Sequence, residues 1–190
     1  MQIGMVGLGR MGANIVRRLM RNGGHDAVVY DTNPKAVAEL AQEGATGAAS
    51  LRELVGKLKA PRTVWVMLPA GAITETTIEE LAKLLAPDDV IIDGGNTFWQ
   101  DDIRRGKALA AKRLHYVDVG TSGGVWGLER GYCMMIGGDT EVVQRLDPIF
   151  ATMAPGIGDI PRTPGREGRD PRAEQGYIHA GPIGAEQVLQ

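Results

Sequence analysis

Near its start the chain changes period within a few residues, and that change constrains what can follow. Ile3, Met5 and Val6 form a short apolar run, the glycines at 7, 9 and 12 follow at once with the spacing G-x-G-x-x-G, and Ile15, Val16, Leu19 and Met20 then recur at three- and four-residue steps. The pattern predicts a strand, a tight turn and an amphipathic helix. A pyrophosphate is the ligand that needs this arrangement. Gly7 would permit the sharp turn, Gly9 would let backbone approach phosphate oxygens, and Gly12 would let helix and strand pack closely. Leu8, Arg10 and Met11 fill the turn, and the free amides and positive dipole end of a helix beginning near Arg10 would hold the anion. In a chain with 27 glycines the motif alone carries little weight, and a glycine-rich loop that tolerates close packing competes with it. Its position strengthens the nucleotide reading. A second apolar run, Ala27 to Tyr30, ends in Asp31, nineteen residues past Gly12, near the spacing at which a dinucleotide site sets an acidic residue on the ribose.

At 190 residues the chain has room for one generous domain, or for one domain and the beginning of another. A hydrophobic content of 43%, a charged content of 23% and a net charge of -2 fit an ordinary globular protein and offer no basic field for nucleic acid. Cys133 is the only cysteine, which excludes an intramolecular disulfide and a thiolate-rich metal cluster and fits a reducing, cytoplasmic setting. No apolar stretch approaches the ~20 residues that span a bilayer, so no membrane partner is expected. His25, His115 and His179 lack metal-ligand spacing, so no metal is expected either. His25 and His115 read as surface or packing residues, and Trp65, Met134 and Met135 as core.

Strand and helix signals alternate along the rest of the chain. Pro34 suits the first turn of a helix that Gly44 ends. Ser50 and Glu53 have capping-box spacing ahead of a short helix, and Arg62 to Leu68 reads as a strand buried on both faces. A helix over Ile73 to Leu85 precedes a strand at Val90 to Ile92. Thr97 is expected to cap a helix running to about Lys112. A strand at His115 to Val119, an apolar run at Tyr132 to Ile136 and one helix over Asp139 to Met153 complete the pattern. The fold class is α/β, a doubly wound, mainly parallel sheet. Its ligands bind at the carboxyl ends of the strands, where Gly7 to Gly12, Asp31 to Pro34, Leu68 to Gly71, Gly94 to Asn96 and Gly120 to Gly124 would converge on one cleft. Gly156 to Gly176, rich in proline, glycine and arginine, reads as an extended loop or linker.

With these loops placed, the sequence resembles the β-hydroxyacid dehydrogenases and, within them, the 6-phosphogluconate dehydrogenase family. The resemblance rests on Gly-Leu-Gly-Arg-Met-Gly at 7–12, Leu-Pro-Ala-Gly at 68–71, Asp-Gly-Gly-Asn at 93–96, Ser-Gly-Gly at 122–124, Met-Ile-Gly-Gly at 135–138 and Gly-Tyr-Ile-His-Ala-Gly-Pro-Ile-Gly-Ala at 176–185. It runs from Met1 to about Ala185. Asp-Gly-Gly-Asn and the segment around His179 separate this family from 3-hydroxyisobutyrate dehydrogenase, and Val-Trp-Gly-Leu-Glu-Arg-Gly at 125–131 resembles the shorter, NAD-preferring branch. The resemblance implies a Rossmann-like coenzyme domain over 1–155, the proline- and arginine-rich loop over 156–176, and the start of a linking helix over 177–190. The family's C-terminal all-helical domain, which binds the substrate phosphate and builds the homo-oligomer, would be missing.

By that resemblance Gly7, Leu8, Gly9, Arg10, Met11, Gly12, Leu68, Pro69, Ala70 and Asn96 contact the dinucleotide. Asn96 also faces the sugar acid, and Ser122, Gly123 and Gly124 bind its carboxylate and hydroxyls; a plain turn after a strand would equally explain that triplet. Asp31 would accept hydrogen bonds from both ribose hydroxyls and repel a 2′-phosphate, while Thr32 and Asn33 stand where NADP-using relatives carry an arginine. NAD is therefore the expected cofactor, with NADP possible through Lys35; alternatively Asp31 only caps the next helix. The family oxidises 6-phosphogluconate at C3, then releases CO₂ to give ribulose 5-phosphate, with a lysine as general base. The register of that lysine falls on Gln190, whose amide cannot act as a base. A coenzyme domain cut short, inactive by itself, is the expectation. A non-enzymatic nucleotide-binding or interaction module, and a dehydrogenase of another small 3-hydroxy acid, are the alternatives.

Overall fold

The computed structural model describes residues 1–185. Eight strands form one sheet in the order β3-β2-β1-β4-β5-β6-β7-β8. In chain order they are β1 (Gln2–Val6), β2 (Asp26–Tyr30), β3 (Thr46–Gly47), β4 (Thr63–Val66), β5 (Val90–Asp93), β6 (His115–Ser122), β7 (Cys133–Gly137) and β8 (Tyr177–Gly181). Neighbours are parallel except β6 and β7, which run antiparallel in the register Val119 to Ile136. The strand order reverses between β1 and β4, and a doubly wound, Rossmann-like sheet opens its ligand crevice at that point.

Both faces are covered by helices, which explains why β4 and β5 are buried at every position. Successive residues alternate between the two sides. Ile3, Met5, Trp65, Ile92 and Val117 pack toward α1 (Arg10–Gly23) and α8 (Asp147–Met153), where they meet Ile15, Leu19, Phe150 and Met153. Val6, Val64, Val66, Ile91 and Tyr116 face the other way, onto Leu54 of α3 (Leu51–Lys57), Leu81 of α4 (Ala72–Leu84) and Leu109 of α5 (Trp99–Ala110). The Trp65 and Phe150 rings meet edge to face, 6.3 Å between centroids. Helix α2 (Pro34–Gln42) flanks β2 and β3, a short 3-10 turn (Gly124–Trp126) and α6 (Gly127–Arg130) reverse the chain into β7, and α7 (Thr140–Arg145) follows β7.

Several local expectations hold. Pro34 opens α2, Gly44 turns out of it at φ 114°, and the Ser50 hydroxyl accepts from the Glu53 amide at 3.0 Å. Others are corrected. Helix α5 starts from Phe98, one residue late, and the Thr97 hydroxyl donates to Asp93 at 2.8 Å. The single helix expected over Asp139 to Met153 is two, α7 and α8, broken where Pro148 in the first turn of α8 cannot supply an intrahelical N–H. Met135 is half-buried rather than core. Residues 154–171 carry no helix or strand, but α9 (Arg172–Gln175) lies inside the expected loop. Residues 177–181, expected to begin a helix, form β8 and add a parallel edge strand to β7. The linking helix is thus contradicted over 177–181. Gln190 lies outside the described residues.

Candidate dinucleotide cleft

The loops leaving β1, β4 and β5 and the end of β6 enclose a cleft of about 540 Å³. Gly9, Met11 and Gly12 line it from the first loop, Leu68, Pro69 and Ala70 from the second, Gly94, Gly95 and Asn96 from the third, and Gly120 and Thr121 from the C-terminal end of β6 itself. This is the convergence anticipated from the strand ends, with two differences. Asp31 and Thr32 line a separate groove of about 470 Å³ between α2 and α3. Ser122, Gly123 and Gly124 lie just past the lining residues.

The three glycines of the first loop have distinct physical roles. Gly7 adopts φ 95°, and a Cβ there would sit 2.2 Å from the Met67 carbonyl oxygen. A Cβ on Gly12 would fall 2.0 Å from the Gly7 oxygen, so only glycine lets α1 start this close to the turn. Gly9 has ordinary extended backbone, φ -62° and ψ -176°, and open space where a Cβ would project. Folding does not require glycine at position 9, whereas close approach of a ligand does. Gly9 is the N-cap of the fourteen-residue α1, no side chain caps that end and its first turn holds no acidic residue. Uncapped amides beside an open glycine are what a pyrophosphate requires.

Asp31 connects the two halves of this region. Its Oδ2 accepts from the Leu8 amide at 2.7 Å and its Oδ1 from the Asn33 amide at 2.7 Å. The cap of α2 is Asn33, whose Oδ1 accepts from the Lys35 amide at 3.1 Å. Asp31 is therefore not the helix cap. Leu8 turns its side chain into the core, and Arg10, Pro69, Ala70 and Asn96 are exposed.

Beneath the third loop lies a buried polar network that sequence reasoning missed. The Asp93 Oδ1 accepts from the Gly95 amide at 2.9 Å, while Oδ2 receives the Thr97 hydroxyl and the Arg105 guanidinium at 2.8 and 3.3 Å. The Tyr116 hydroxyl donates to Asp102 at 2.7 Å. Asp93, Asp102, Arg105 and Tyr116 are all nearly inaccessible. Burial pushes the Asp102 carboxyl up to about 7, helped by the charge of Asp93, against the Tyr116 hydrogen bond and Arg105. Burial likewise raises Tyr116. Glu75, in the first turn of α4, is held down to about 2, chiefly by Arg104 with further help from Arg105. The available sequence signal was Asp102 and Arg105, three apart on α5 and so on one face toward β6.

The triplet after β6 has structural demands of its own. A Cβ on Gly123 would come 2.7 Å from the Tyr132 ring, and Gly124 has φ 50°. The His179 Nε2 donates to the Gly138 carbonyl oxygen at 2.8 Å, pinning β8 to the end of β7. His25 packs between the terminal amino group and Thr152, and His115 pairs with Asp88. Among the described residues no helix is long and apolar enough to cross a membrane.

Comparison with known proteins places this geometry. A family model, the NAD binding domain of 6-phosphogluconate dehydrogenase, matches residues 2–160. An NAD(+)-dependent, decarboxylating 6-phosphogluconate dehydrogenase of Haloferax volcanii is 40% identical over 82% of this chain and 51% of its own length. An NADP(+)-dependent, decarboxylating counterpart from Bacillus subtilis is 35% identical over 85% of this chain and 35% of its own. Plasmodium falciparum 6-phosphogluconate dehydrogenase, solved apo and with NADP+ or 6-phosphogluconate, superposes with a TM-score of 0.84 at 25% identity, over 100% of this chain and 38% of that one. The chain thus spans about half, or less, of the length of these relatives. It belongs to the 6-phosphogluconate dehydrogenase family, whose NAD-binding domain it carries.

Proposed function

We propose that the chain binds NAD in the cleft between the β1, β4 and β5 loops and the end of β6 and presents that cofactor to 6-phosphogluconate in an oxidative decarboxylation. The observation that supports this most directly is the open space at Gly9 beside the uncapped start of α1. Gly7 to Gly12 would hold the pyrophosphate, Leu68 to Ala70 would border the nicotinamide, and Asn96 would lie between nicotinamide and sugar acid. Ser122, Gly123 and Gly124 would bind the carboxylate and hydroxyls of the substrate. When bound, the nicotinamide accepts the hydride.

Asp31 favours NAD over NADP. Each of its oxygens already accepts one backbone hydrogen bond and keeps a second lone pair for a ribose hydroxyl, whereas a 2′-phosphate would meet a carboxylate. Thr32 and Asn33 bring no cation to offset this, and Lys35 is exposed.

The residues lining the cleft include no ionisable side chain, so the proton of the substrate hydroxyl must go to a base from elsewhere. The described stretch supplies cofactor binding and substrate orientation. The expected result is enhanced NADH fluorescence on binding to the chain, displaced by NAD, with no 6-phosphogluconate-dependent NADH formation by these residues alone. Turnover by the chain alone would overturn the division of labour, and absence of NADH binding would overturn the reading of the cleft.

A further inference from the structure

The second and third cleft loops touch in front and are tied together behind. A Cβ on Gly95 would lie 2.7 Å from the Leu68 carbonyl oxygen, so little separates the loops. Behind them, Arg105 is 4% exposed and spans two carboxylates on different elements. Its Nε and one terminal nitrogen each lie 2.8 Å from the Glu75 Oε2, and its other terminal nitrogen lies 3.3 Å from the Asp93 Oδ2. Glu75 sits where α4 leaves the Leu68–Gly71 loop, its amide bonded to the Gly71 carbonyl at 3.1 Å. The adjacent Thr74 hydroxyl donates to the Pro69 carbonyl at 2.8 Å. Asp93 holds the other loop through the Gly95 amide.

We propose that Arg105 is a positioning residue that clamps the Leu68–Gly71 and Gly94–Asn96 loops at one separation and thereby sets the nicotinamide half of the cleft without touching the ligand. The proposal rests on the dinucleotide reading of the cleft. A guanidinium suits the task because its rigid fork reaches both carboxylates at once, while an ammonium is a point charge that serves one at a time. Arg104 provides an internal control. It grips the same Glu75 at 2.8 and 2.7 Å, but from the surface, where its other ion pair is with Asp101.

The test compares wild type, Arg105→Lys and Arg104→Met. Lysine keeps the buried charge and so avoids the unfolding that an apolar replacement risks. Hydrogen exchange of the unliganded chains should show Arg105→Lys opening the Gly95 amide, bonded to Asp93, and the Glu75 amide, bonded to Gly71, by about tenfold, with the β1 and β4 amides unchanged. Titrations should show NAD weakened by about tenfold while ADP-ribose, which lacks the nicotinamide, stays within about twofold. Arg104→Met should do neither. Unchanged exchange in both loops, opening spread over the whole sheet, or equal losses for NAD and ADP-ribose would each overturn the clamp. A wild-type chain that binds neither nucleotide would instead overturn the dinucleotide reading, and the exchange data would still judge the clamp.

Discussion

The Asp31 carboxylate accepts the Leu8 amide at 2.7 Å, so the acidic residue at the end of β2 braces the glycine turn that follows β1. One side chain therefore shapes the glycine turn and, in the proposed binding mode, would also face the ribose. Asp31→Asn keeps one acceptor oxygen but loses the charge and one of the two backbone hydrogen bonds, since an amide nitrogen cannot accept from the Asn33 or Leu8 N–H. NAD affinity should fall by about 10- to 100-fold, as for loss of charge-assisted hydrogen bonds. NADP affinity should fall less or rise, because the repulsion of a 2′-phosphate is removed. Parallel titrations at matched salt check the ratio; equal losses for both nucleotides would contradict it.

Gly9 and Gly12 should separate folding from binding. Gly9→Ala adds a methyl group to open space on unstrained backbone. Thermal stability should stay within about 0.5 kcal/mol, while NAD affinity drops at least about tenfold. Gly12→Ala drives a Cβ into the Gly7 carbonyl and should destabilise the chain by about 2–4 kcal/mol as α1 is pushed away. Thermal melts and titrations of the two variants provide the comparison.

What the sequence made legible was local. The glycine turn, the capping of α2 and α3 and the alternation of strand and helix all follow from neighbours a few residues apart. Arg105 and Asp93 are twelve residues apart and meet only because β5 and α5 pack together, so no periodicity reveals the pair. In the α7–α8 region Val142, Val143, Leu146, Ile149, Phe150 and Met153 keep helical spacing across the break, and the apolar pattern read straight through Pro148. Thr97 has the chemistry of a cap, but its partner Asp93, four residues earlier at the end of β5, is set by the buried network and not by helix spacing. β8 was missed because an edge strand needs little apolar sequence: Tyr177 is buried, while Ile178 is 39% exposed.

Arg18 is a buried staple with no role in the cleft. It is 6% exposed and donates to the carbonyls of Leu128, Thr152, Met153 and Ala154, joining α1 to the chain around α6 and α8. Burial lowers its affinity for the proton. Arg18→Ala leaves those acceptors unsatisfied and should cost about 3 kcal/mol in denaturant unfolding. NAD affinity measured on the folded fraction should be unchanged.

Asp102 gives the fold a pH signature. Burial pushes its carboxyl from the ordinary 3.8 up to about 7 in the folded chain. Between those values the unfolded chain has released the proton and the folded chain retains it, so stability falls as pH rises through that window and is level above it. Asp102→Asn still accepts from Tyr116 and removes this dependence. The stability difference between variant and wild type should grow in favour of the variant from pH 4 to pH 7, on the order of 3 kcal/mol. A difference that stays flat with pH would show that Asp102 ionises normally in the folded chain.

The most direct test of the central claim is calorimetric titration of the purified chain with NAD and NADP at matched ionic strength. One site per chain with NAD bound more tightly than NADP, weakened at least about tenfold by Gly9→Ala without loss of thermal stability, is the predicted result. Binding of neither nucleotide by a folded chain, or NADP bound more tightly than NAD, would contradict the assignment of Gly9 and Asp31.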